Sequence, residues 1–264
     1  MDNKNTRNGI KLNQRLLSAP LGAVLTLAWL KQQGISANLS KYYVRAGWLH
    51  RVGNGAFTVR DETPGWLGAV AGLQQRTPAF HPGGQTALEM AGLAHFLPVG
   101  GTHPLYLFGR AGNRLPVWFQ NLPWTNRVRH VATNFLPGNA GLREHREGNL
   151  SVMVSAPERA ALEFLQHLAI DEAGYEHASL VFEGLGTLRP ALVQSLLELC
   201  ASVKVKRLFL HLAEKHGHAW LRQIKTKKIT LGSGKRMLVA GGRFDSTYQI
   251  TVPAGATETP PDAP

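Results

Sequence analysis

The chain has 264 residues, 44% hydrophobic and 17% charged, so it can bury a sizeable core and is no disordered polymer. Lysine and arginine number 29 against 17 aspartate and glutamate, a formal charge of +12, and so basic a surface attracts polyanions, nucleic acid first. A single cysteine, Cys200, excludes an internal disulfide and a cysteine-rich zinc site, and no run approaches the ~18 apolar residues of a membrane-spanning helix.

No apolar stretch follows the polar start Met1–Asn5, so no secretory signal is expected and the protein is read as soluble and cytoplasmic. Charge is unevenly placed. Residues 1–62 carry a net +6, 63–150 carry +4, 151–200 carry −5 and 201–264 carry +7. Two basic regions around an acidic helical stretch predict two separate basic surfaces.

In chain order, Leu12 to Leu17 reads as a short helix. Thr26 can cap a second helix that ends at Gly34, and Ser36 a third that runs to about Ala46. Trp48–Val52 and Ala56–Val59 flank the turn Gly53-Asn54-Gly55 and read as a β-hairpin. Three short helices and a hairpin predict a winged helix-turn-helix over residues 1–64, ending near Asp61-Glu62-Thr63-Pro64-Gly65.

Beyond it, helices are expected at Trp66–Leu73 and Gln85–Phe96. Strands are expected near Phe80 and at Leu105–Phe108, Val117–Phe119, Val128–Thr133 and Leu150–Val154. Ser155-Ala156-Pro157-Glu158 fits a capping box for a helix through Leu165. Helices follow at about Tyr175–Leu185, Pro190–Leu199 and Val203–Lys215, then strands at Ile229–Leu231, Arg236–Val239 and Tyr248–Val252. Strands, helices and strands without regular alternation predict an α+β fold, with a mixed α/β domain over 65–253 and a disordered tail over 254–264.

Two faces are candidates for nucleic acid. On the third helix, Ile35, Leu39, Tyr43 and Ala46 share one side, while Asn38, Lys41 and Arg45 share the other with Tyr42 at its edge. Asparagine suits adenine, arginine suits guanine, and lysine suits guanine or phosphate in a major groove. Arg51 and Asn54 at the wing tip would reach backbone phosphates. On the helix from Val203, Lys204, Arg207, His211 and Lys215 line the side opposite Val205, Phe209 and Leu212. With Lys225, Lys227, Lys228, Lys235 and Arg236 they form a second basic surface, read as contacting phosphate or a protein partner.

Catalytic signatures are missing. Gly232-Ser233-Gly234-Lys235 lacks the spacing of a phosphate loop and reads as a hairpin turn, and Pro82-Gly83-Gly84 reads as a tight turn rather than an anion cradle. His211, His216 and His218 have no partner at a known metal spacing, and Glu158 and Glu163 are five apart, not side by side on a helix. These readings favour a binder over an enzyme.

Several segments recur together in one order: Gly34-Ile35-Ser36, Tyr42 to Trp48, Arg51 to Phe57, Gly83 to Leu88, Ala156-Pro157-Glu158-Arg159-Ala160, Glu183-Gly184-Leu185, Leu188-Arg189-Pro190 and Ser202 to Phe209. From about Leu12 to Pro253 the pattern resembles the AbiEi antitoxin family of type IV toxin–antitoxin systems. The resemblance implies an N-terminal winged-helix domain and a C-terminal antitoxin domain. It implies repression of the chain's own operon through promoter inverted repeats in double-stranded DNA. It also implies an AbiEii-like nucleotidyltransferase toxin that is counteracted without a stable complex, and no cofactor. Carried onto this sequence, the DNA-reading role falls on Ser36, Asn38, Lys41, Tyr42, Arg45, Arg51 and Asn54, and the antitoxin role on the C-terminal basic surface. No coiled coil is evident, so monomers assembling on DNA are expected. Two other readings stay open: a nucleic-acid-processing enzyme targeted by a winged helix, and a ligand-sensing regulator.

Overall fold

The computed structural model describes residues 16, 19–75, 79–93, 104–169, 171–237 and 241–253. Among them are nine α-helices and eleven short strands, an α+β fold. The chain divides into two compact units. One comprises the described residues to His81 with Gly112–His130 and Glu144–Met153, and so takes in more than residues 1–64. The other comprises Pro82–Ala111, Val131–Arg143 and the described residues from Val154 onward.

In the first unit, β1 (Leu25–Thr26) leads into α1 (Leu27–Gln32), where the Thr26 hydroxyl accepts the Trp29 N–H at 3.3 Å. Gly34, at φ +84°, turns the chain out of α1 and lets the Ile35 N–H return to the Leu30 carbonyl at 2.9 Å. Ser36 opens α2 (Ala37–Arg45) by accepting the Leu39 N–H at 3.2 Å. The strands β2 (His50–Gly53) and β3 (Ala56–Thr58) pair antiparallel around Asn54, and β3 also pairs antiparallel with β1, giving the order β1-β3-β2. Leu16, Leu25, Leu30, Ile35, Tyr43, Leu49 and Phe57 form one buried cluster that fixes the two helices on this sheet. Apart from Leu16, the helix expected at Leu12–Leu17 lies outside the described residues.

The same unit holds α3 (Trp66–Gln74), within a residue of its expected bounds. Further along, β4 (Phe80–Pro82) leads to α4 (Gly84–Met90), shorter than expected because Gly92 at φ +71° ends it; residues 94–96 lie outside the described residues. The strand β5 (Leu105–Gly109) forms as expected. Val117–Phe119 is not a strand but part of the short helix α5 (Val117–Gln120), whose first turn hangs on the Pro116 carbonyl. Three apolar residues are too few to separate a strand from a helical turn. The strand β6 (Val128–Ala132) follows, then the pair β7 (Leu142–Glu147) and β8 (Leu150–Ser155), of which β7 was unexpected.

The rest of the second unit is mainly helical: α6 (Pro157–His167), α7 (Glu172–Glu183), α8 (Pro190–Leu199) and α9 (Val203–Lys215). The bounds of α8 and α9 are those expected. The capping box is overturned: Ala156 is the cap residue of α6 and makes no side-chain bond, while Ser155 and Glu158 are engaged elsewhere. The chain closes with β9 (Arg236–Met237), β10 (Arg243–Asp245) and β11 (Ile250–Val252), ordered β10-β11-β9. No strand forms at Ile229–Leu231, and β10 was unexpected. Residues 238–239 of the expected Arg236–Val239 strand, and the tail 254–264, lie outside the described residues.

Candidate nucleic-acid interface

The seven predicted DNA-reading residues, Ser36, Asn38, Lys41, Tyr42, Arg45, Arg51 and Asn54, are all exposed, and all belong to the first unit. Helix α2 buries Tyr43 and Ser40 and leaves Asn38, Lys41, Tyr42 and Arg45 in solvent, Tyr42 with 63% of its surface accessible. Ala46, expected in the core, is exposed. The Ser36 hydroxyl is committed to its cap. Among the described residues, neither Lys41 nor Arg45 has an acidic partner; the Asp61 carboxylate meets His50 Nδ1 at 3.5 Å. Both charges are therefore available to a polyanion.

At the hairpin, the Arg51 guanidinium carbon lies 5.9 Å from the centre of the Phe57 ring, a cation–π contact that steadies the side chain, and Asn54 occupies the exposed turn. Two further groups on this unit escaped the sequence reading. Trp48 is 40% accessible although a strand pattern had placed it in the hairpin, and Lys31 is exposed in the last turn of α1. A tryptophan left in solvent beside a basic helix is a signal for a contact surface, but exposure is legible only from the fold.

The second basic surface is redrawn. Arg207 is 1% accessible and His211 5%, so neither belongs to a surface. The face expected from helical periodicity assumed one covered side, but every residue of α9 from Val205 to Ala213 is buried. Residues beyond Ile229 cover the other side. The Arg207 guanidinium donates to the carbonyls of Leu231 at 2.9 Å, Gly232 at 3.2 Å, Gly234 at 2.7 Å and Gln249 at 2.8 Å. His211 lies between Tyr175 and Asp245, with Nε2 2.9 Å from the tyrosine oxygen and Nδ1 2.6 Å from Asp245 Oδ2. Lys204 and Lys215 are half-buried, and burial holds both ammonium groups below the ordinary lysine range; Glu176 opposes this at Lys215, whose Nζ lies 5.2 Å from the Tyr175 ring. The cations that remain in solvent are Lys225, Lys227, Lys228, Lys235 and Arg236, with Arg222 and Arg243 beside them in sequence.

The two glutamates set aside in the sequence prove central to the second unit. Glu163 is fully buried. Its carboxylate accepts Arg159 Nε at 2.6 Å, the Ser155 hydroxyl at 2.7 Å and the Gly84 N–H at 3.0 Å. The anion at the Gly83-Gly84 turn is thus the protein's own carboxylate. A Cβ on Gly83 would stand 2.2 Å from Glu163 Oε2, which is why no side chain fits there. Glu158, 2% accessible, takes a two-pronged bond from Arg189 and the Arg189 backbone N–H as well. Burial pushes its carboxyl up, but the Arg189 bonds outweigh this and hold it below the ordinary range. Among the described residues, no three histidine, cysteine or acidic side chains are grouped to hold a metal, and no helix is long and apolar enough to cross a membrane.

Residues 102–253 match the family model described as the transcriptional regulator AbiEi antitoxin of a type IV toxin–antitoxin system, and residues 8–99 match the model of the AbiEi antitoxin N-terminal domain. The chain belongs to the AbiEi antitoxin family. The family is one of transcriptional regulators and antitoxins. In this AbiEi chain the N-terminal match takes in both helices, the hairpin, α3 and α4, and the second match runs from β5 to β11. No curated protein matches the sequence. The crystal structure of the RV2827C protein from Mycobacterium tuberculosis is similar at a TM-score of 0.52 and 13% identity, over 96% of this chain and 93% of that one. That likeness is one of fold.

Proposed function

We propose that this AbiEi chain represses its own operon by binding inverted repeats at the promoter, and serves as the antitoxin of a type IV system. In this reading the first unit is a winged helix-turn-helix. Helix α2 enters the major groove, where Asn38 and Arg45 address base edges and Lys41 a guanine or phosphate. Ser36 fixes the start of the helix, Tyr42 flanks it, and the β2–β3 hairpin is the wing that brings Arg51 and Asn54 to the backbone. Monomers assemble cooperatively on the repeats. In the second unit, exposed Lys225, Lys227, Lys228, Lys235 and Arg236 contact phosphate or act in the antitoxin role. The toxin is a nucleotidyltransferase-like protein counteracted without a stable complex, and the antitoxin itself is neither an enzyme nor in need of a cofactor.

One observation carries the reading: the polar face of α2 is in solvent with Lys41 and Arg45 uncompensated by acid. A promoter–reporter fusion tests it. Repression should be lost with the double substitution Lys41→Glu, Arg45→Glu in a protein whose circular dichroism is unchanged. Full repression by that variant would sink the assignment of α2.

A further inference from the structure

The second unit contains a pocket of about 190 Å³ between β5, α4, α6 and the α6–α7 connection. Its walls are aromatic: Phe108 and Phe164, with Tyr106 and the imidazoles of His167 and His177. Tyr106 and His167 meet edge to face at 5.3 Å between ring centres, and Phe164 and His177 at 5.2 Å, so the rings are held by one another. The protein itself makes little use of the polar groups here. Among the described residues, the Tyr106 hydroxyl, both imidazoles and the Gln85 amide oxygen have no hydrogen-bond partner; the Gln85 amide nitrogen donates to Glu89 at 3.2 Å. Glu163 at its edge has its carboxylate bonded to Arg159, Ser155 and Gly84, and burial holds His177 below the ordinary histidine range, hence neutral at pH 7. Aromatic walls with a few convergent hydrogen-bonding groups are the make-up of a small-molecule site, and this volume is below the ~300–1,000 Å³ of drug-sized ligands.

We propose that this pocket binds one nucleobase: a flat, uncharged heteroaromatic ring stacked on its aromatic walls, with its polar edge bonded to Gln85, Tyr106 and the two imidazoles. Stacking is tolerant of ring identity, while the polar groups would choose among bases. The proposal goes beyond operator binding and does not rest on it. The same chemistry could arrive as a free nucleoside or as an unpaired base of a single strand.

Full-length protein is titrated calorimetrically with adenosine, guanosine, cytidine and uridine, with short single-stranded oligonucleotides and with duplex of the same sequence. Saturable binding of a nucleoside supports the proposal with a metabolite as the source; binding confined to single strands supports it with an unpaired base as the source. In either case Tyr106→Phe, which keeps the ring, and Gln85→Ala should each weaken binding about fivefold, the effect of one lost hydrogen bond. Promoter repression by these variants should be unchanged, which separates this test from that of α2. No binding of nucleosides or single strands at millimolar concentration, binding to duplex alone, or affinities unmoved in both variants would overturn the assignment.

Discussion

Arg207 shows how one buried side chain can organise a segment. It has no acidic partner among the described residues; its charge is met by four main-chain carbonyls, all beyond Thr230 in the sequence. Burial, then the neighbouring charge of Arg236, holds its pKa below the ordinary arginine value. The planar guanidinium reaches carbonyls in several directions at once, as a lysine ammonium cannot. Arg207→Lys should therefore destabilise the protein by about 2–4 kcal/mol, since it strands buried carbonyls and a buried charge. Urea unfolding measures this; a loss below 0.5 kcal/mol, roughly the effect of an ordinary surface change, would contradict it. Asn38 makes the opposite case. It is exposed and supports nothing in the fold, so Asn38→Ala should leave the urea midpoint in place and weaken operator binding by about 1–3 kcal/mol at one base position only.

At the scale of elements, the acid behaviour of the second unit should trace to α6. Glu158 keeps its charge to lower pH in the folded chain than its ordinary value of 4.5, so it adds stability fully above that value. The contribution is lost as pH falls through the lower folded value. Arg189 is 63% accessible, so solvent screens the pair, and Glu158→Gln should cost about 1–2 kcal/mol at pH 7. The gap from the parent protein should narrow as pH falls below 4.5, and a gap that stayed constant through acid unfolding would exclude the assignment. This wiring was not legible in the sequence. Five-residue spacing put Glu158 and Glu163 on different sides of a helix, and that was sound; what it missed is that α6 is covered all round, so both sides are interior. The same limit hid Arg207 and His211. Where a local rule suffices, the sequence spoke clearly. Pro190 after Arg189 and Ser202 before Val203 set the starts of α8 and α9, and the Gly34 and Ser36 pair set the turn before α2.

For the whole molecule, four half-buried or buried imidazoles, His130, His177, His216 and His218, are held by burial below the ordinary value of 6.5. The unfolded chain takes up their protons first, so stability should fall as pH drops through that value, and thermal melts between pH 7.5 and about 5.5 should show the decline. Net charge frames the function as well. In the acidic stretch 151–200 Glu158 and Glu163 are buried in the second unit and the other five acidic side chains are exposed, while the cations of α2 and of Lys225–Lys228 stay in solvent. The most direct test of the account is the affinity for a labelled promoter duplex, measured by fluorescence anisotropy as salt is raised. Tight binding that falls steeply with salt is predicted, together with a loss of at least about a hundredfold and a shallower salt slope for Lys41→Glu, Arg45→Glu. A double variant that held the duplex as tightly as the parent, with the same slope, would contradict it.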